Sequence, residues 1–159
     1  MMDNRSGTKR GTAAHERARY ERDLYGWATE QAALLRAGRI AEADALNIAE
    51  ELDDVGNEQY DRLESALRLI LLHLLKWDHQ PERRSRSWWA GITVQRNHVR
   101  RLLRKNPGLK AHIKSATADA YEDARVEAAA QTRLDPRKLP AQCRYSWDDI
   151  MGRPIEWPA

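Results

Sequence analysis

The side chains best suited to chemistry are carboxylates, imidazoles and guanidiniums gathered in the middle of the chain. Glu50 and Glu51 lie on one segment and His73 on an aliphatic one further along, and such groups projecting into a helical bundle can hold a divalent metal. A metal-dependent hydrolase would be built from this set, with Asp54 and His79 nearby in sequence. The spacing gives limited support. No Glu-x-x-His or His-x-x-x-His pair occurs, and His73 and His79 are six residues apart, on opposite sides of any helix that carries both.

Charge is segregated along the chain. Residues 42–64 carry nine acids against Arg62 alone, whereas residues 76–105 carry nine bases against Asp78 and Glu82. Local balances of −8 and +7 are large enough to govern packing or binding. The simplest reading makes them architectural, with arginine forks gripping Glu50 or Glu51 across two antiparallel helices. A second reading presents Arg83, Arg84, Arg86, Arg96, Arg100 and Arg104 to nucleic-acid phosphates, with Trp89 or its neighbour Trp88 stacking on bases. The net charge of only +3 and the lack of a recognisable DNA- or RNA-binding module weigh against it. Adjacent tryptophans point about 100° apart on a helix, so one of Trp88 and Trp89 turns outward, as on a contact surface.

Nucleophilic catalysis has less support. There is no Gly-x-Ser-x-Gly elbow and no phosphate-cradling glycine loop, so no catalytic residue and no cofactor is assigned. Ser85 and Ser87 read as helix caps, and His15, His98 and His112 as surface groups. The lone Cys143 excludes a disulfide within the chain and reads as a partly buried, unreactive thiol. The function is therefore open, and a non-enzymatic interaction module, binding a partner protein or another copy of the chain, is preferred to the hydrolase and nucleic-acid readings.

The elements that must position these groups are helices. Apolar residues recur at three- and four-residue steps from about 14 to 37, where Gly38 supplies a stop. A second run starts at Asp44 or Asn47 and reaches Trp77, with a break expected at Gly56-Asn57 because an unbroken rod would be about 50 Å long. Leu67 to Trp77 is apolar nearly all round, which marks the core. Pro81 and then Asn106-Pro107-Gly108 bracket a third helix, and an alanine seam (Ala116, Ala120, Ala124, Ala128) marks a fourth over about 109–131. Ser146 to Asp149 forms a cap and one turn, closed by Gly152. The fold class is thus all-α: four long helices, the second broken near Gly56, with short C-terminal helical turns. Residues 1–13 form a disordered tail and 14–159 a single bundle domain. With no secretory leader in the first fourteen residues and no apolar run of about 20 residues, a cytoplasmic protein without membrane contact is expected.

Three blocks carry a family resemblance: Tyr20-Glu21-Arg22-Asp23-Leu24-Tyr25-Gly26-Trp27; Ala49-Glu50-Glu51-Leu52; and Leu71-Leu72-His73-Leu74-Leu75-Lys76-Trp77 with Gln80-Pro81-Glu82-Arg83 and Ser85-Arg86-Ser87-Trp88. From about Tyr20 to Trp157 the chain resembles a bacterial family of uncharacterised helical proteins, the twenty-ninth of the domains-of-unknown-function series. The resemblance implies a helical bundle and a bacterial origin, and it transfers no activity.

Overall fold

A computed structural model describes residues 19–158, whose regular structure is helical with no strand among them. The expected tail (1–13), the start of the first helix and His15 lie outside the described residues. The chain divides into two compact units, Met1–Gly56 and Asn57–Ala159.

In the first unit, residues 19–22 are helical and α1 spans Leu24–Arg36. The expected uninterrupted helix is corrected at Asp23, whose carboxylate accepts the Gly26 backbone N–H (2.9 Å) and caps α1. A Cβ at Gly26 would stand 2.1 Å from that carboxylate, so the cap needs glycine there. Gly38, at φ +71°, ends the segment in the left-handed conformation open to glycine. Trp27 and Gln31 are the buried residues of α1. The Trp27 indole N–H donates to Asp44 (3.3 Å), its ring meets Tyr20 edge-on, and Gln31 accepts the Asp44 backbone N–H (2.9 Å). A 3₁₀ turn at Ile40–Glu42 follows.

Helix α2 runs unbroken over Ala45–His79, with the Asp44 carboxylate accepting the Asn47 N–H at its start (3.4 Å). The expected break at Gly56 is absent, although the boundary between the two units falls there. Glycine costs a helix about 1 kcal/mol relative to alanine but keeps its N–H, so the backbone ladder survives. A Cβ at Gly56 would meet nothing within 4 Å. Gly56→Ala is therefore expected to stabilise the protein by up to about 1 kcal/mol, read by thermal denaturation; a loss of stability would show that the glycine relieves a strain.

The second unit contains the rest of α2, then α3 (Arg86–Lys105), α4 (Ile113–Thr132) and α5 (Trp147–Met151). Ser85 caps α3 through the Trp88 N–H (3.3 Å), as its position in sequence predicted. The fourth helix starts later than expected, at Ile113, because Pro107–His112 form a 3₁₀ turn. Ser146 and Asp149 complete a capping box on α5. The core is the one the hydropathy marked. Leu63, Leu67, Ile70, Leu71, Leu74 and Leu75 of α2 are at most 1% exposed and pack with Ile92 and Val99 of α3 and the alanines of α4. Each buried aliphatic side chain contributes roughly 1.5 to 3 kcal/mol.

Candidate interaction cleft

The basic helix directs its guanidiniums to backbone carbonyls. Arg96, 8% exposed, donates Nε–H to Ile150 O (2.7 Å), Nη1–H to Arg153 O (2.7 Å) and Nη2–H to Asp149 O (3.0 Å). Arg100 donates to Met151 O (2.8 Å) and Asn97 Oδ1 (3.1 Å). These oxygens sit in and just beyond α5, where a helix leaves carbonyls unsatisfied, so α3 clamps the C-terminal segment through them. Arg84 donates to Trp77 O (3.0 Å) and lies over the Trp77 ring, and Arg86 lies over Trp157. Trp89 donates to Ile155 O (3.1 Å) and packs edge-on against Trp157, so its indole holds the same segment.

Arg96 and Arg100 thus engage backbone carbonyls in place of the carboxylates that the charge pattern suggested. Glu51 instead accepts the Tyr20 hydroxyl (2.7 Å), which pushes the Tyr20 pKa up to about 12. The oxygen acceptors that α3 uses are backbone atoms, offered by every residue type, and guanidinium forks satisfy several at once. The side chains of Arg83, Arg101 and Arg104 are exposed and make no hydrogen bond or ion pair among the described residues.

Glu50 and Glu51 belong to the first unit and His73 to the second. Among the described residues no group of three or more His, Cys, Asp or Glu could hold a metal ion. His73 is half-buried, hydrogen-bonded through Nδ1 to Leu69 O (2.7 Å), with its ring against Gly91, where a Cβ would come within 2.9 Å. Burial pushes its pKa down, because the low-dielectric surroundings disfavour the imidazolium. The unfolded imidazole titrates near 6.5, so below that pH the unfolded chain takes the proton more readily. The stabilisation held by neutral His73 is present above pH 6.5 and is lost on acidification. The difference in urea midpoint between the parent and His73→Gln is expected to shrink from pH 7.5 to 5.5; a constant difference would mean that His73 does not titrate on unfolding.

Two troughs meet on the second unit. One, of about 840 Å³, runs between α4 and residues 141–150, walled by Ile113, Ala118, Tyr121 and Ile150, with Lys114 and Glu122 also lining it. The other, of about 470 Å³, is lined by Arg100, Leu103, Arg104, Pro107 and Met151. Lys110 and Trp147 line both, so a mainly apolar trough and one bearing Arg100, Arg104 and Lys110 lie side by side. The wall beside α4 is fixed by Tyr121, which donates to Pro140 O (2.7 Å). Tyr145 donates to Asp78 (2.8 Å), which also takes two hydrogen bonds from Arg153 (3.0 and 3.1 Å). Burial and the Asp78 charge drive the Tyr145 pKa strongly upward. Cys143 is half-buried, its pKa raised by burial, as expected of an unreactive thiol. Arg100 and Arg104, candidate binding residues on the sequence, line this cleft, as does Cys143, whereas Lys110, Trp147 and Tyr145 carry no signal in the sequence beyond the neighbouring Ser146 cap.

Fold and site together define an all-α protein in which the buried Arg96 and the exposed Arg100 hold down the C-terminal segment beside a two-part cleft. The chain belongs to the family described as Domain of unknown function DUF29, whose sequence profile matches residues 19–154. No curated protein and no solved structure matches the chain. No helix among the described residues is long and apolar enough to cross a membrane.

Proposed function

We propose that the protein is a non-enzymatic interaction module whose cleft seats an acidic amphipathic helix of a partner protein. The observation that carries this reading is the meeting of the apolar and cationic troughs at Lys110 and Trp147. The side chains of Arg104, Lys110 and Lys114 make no ion pair or hydrogen bond among the described residues, so their charge is available to a partner. A helix with apolar residues at i, i+3 and i+4 and acids alongside matches this division. A cytoplasmic setting belongs to the same reading, in keeping with an unpaired cysteine.

The test titrates the full chain with labelled helical peptides, leucine at positions i, i+3, i+4 and i+7, carrying either glutamate or lysine elsewhere. Fluorescence anisotropy is expected to show binding of the glutamate peptide only. Arg104→Glu with Lys110→Glu should weaken it about tenfold, since rim charges are worth up to about 1 kcal/mol each. Equal binding of both peptides, or an unaffected double variant, would defeat the proposal. So would self-association in sedimentation that the glutamate peptide fails to disrupt, because a second copy would then occupy the cleft.

A further inference from the structure

A separate cavity of about 530 Å³ lies where the end of α2, the middle of α4 and residues 137–144 come together. His79, Arg125, Arg137, Lys138 and Arg144 line it, and no carboxylate does. Arg137 is neutralised by a forked pair with Asp135, which lies outside the lining. Asp78, next to His79 in sequence, is already engaged by Arg153 and Tyr145. The side chains of Lys138 and Arg144 are exposed and make no hydrogen bond or ion pair among the described residues.

Arg125 supplies an independent observation. Its Nη2–H donates to Pro136 O (2.9 Å), but its Nε is buried with no hydrogen-bond partner. A buried donor without an acceptor costs about 1 to 3 kcal/mol, more when charged. His79 holds Leu75 O through Nδ1 (2.9 Å), which leaves Nε2 free to face an occupant.

We infer that this cavity is a binding site for the phosphoryl group of a small phosphorylated molecule. A carboxylate is satisfied by one guanidinium fork, whereas here donors come from three elements and three uncompensated cations surround one space. A dianion with three peripheral oxygens suits that arrangement, and Arg125, which lines the space, carries a donor still without an acceptor. The volume lies in the range that takes a small ligand, leaving room for an organic body beyond the phosphoryl group. Cations also favour helix C-termini, and α2 and α4 both end nearby. A purely structural role of that kind would not respond to phosphate.

The experiment adds inorganic phosphate to the full chain and follows the phosphorus-31 resonance, the thermal midpoint and the proton resonance of Arg125 Nε–H. The expected result is saturable broadening, a rise in midpoint that sodium chloride at equal ionic strength does not produce, and a shift of the Arg125 Nε–H signal. Lys138→Gln with Arg144→Gln should weaken binding at least tenfold and leave the phosphate-free midpoint unchanged, because both side chains are exposed. An equal response to chloride, an unmoved Nε–H signal, or a double variant that binds like the parent would overturn the inference. Capture on phosphatidate vesicles that millimolar phosphate fails to release would overturn it too, since the phosphoryl group would then belong to a lipid.

Discussion

Arg96→Ala is expected to lower the unfolding free energy by about 3 kcal/mol and to release the C-terminal segment from α3. Three charge-assisted hydrogen bonds end on this side chain, at Ile150 O, Arg153 O and Asp149 O. Each is worth roughly 1.5 to 3 kcal/mol against a desolvated acceptor, and partial rehydration of the freed carbonyls offsets part of the sum. Arg96→Lys should recover less than half of the loss, because an ammonium on a flexible stem cannot reach three oxygens spread over five residues. Urea unfolding gives the total, and amide exchange at Gly152 and Arg153, both bonded to Asp148 O, gives the local effect. Parent-like protection at those amides would show that the segment is held without Arg96.

Leu71→Ala is expected to cost about 3 to 4 kcal/mol, through lost transfer free energy and the cavity left behind. The side chain is fully buried among the α2, α3 and α4 residues of the core. The matched control is Leu52→Ala on the same helix, 65% exposed, for which a change below about 0.5 kcal/mol is expected. Similar losses at the two positions would mean that the two ends of α2 are packed alike.

Much of this architecture was legible in the residues. Hydrophobic periodicity located α3 and the core half of α2, and the alanine seam located α4, since burial at helical spacing is what those patterns record. Ser85 and Ser146 announced their caps. Asp23 was not recognised, because Tyr20, Leu24 and Trp27 keep helical spacing across it while its carboxylate diverts the Gly26 N–H into a new start. Gly56 misled in the opposite direction: helix propensity there is poor, but nothing replaces the backbone bonds, so the helix continues. The candidate site was the least legible part. Opposite charges on successive segments suggested ion pairs, whereas Arg96 and Arg100 settle on carbonyl oxygens, which carry no signature in a sequence. The cleft and the cation-lined cavity join residues dozens of positions apart, brought together by how α4 and the C-terminal segment pack.

From Ala49 to Glu58 every residue of α2 except Glu51 is exposed, and the boundary between the two units falls inside that stretch. Helical order there draws on hydrogen bonds along the axis and on local pairs such as Glu58 with Arg62, with little burial to reinforce it. Melting of the leucine-rich core therefore has no strong thermodynamic grip on residues before Gly56. Cooperativity is therefore expected to weaken near the middle of the longest helix, with the midpoint of thermal denaturation reporting chiefly the leucine-rich unit.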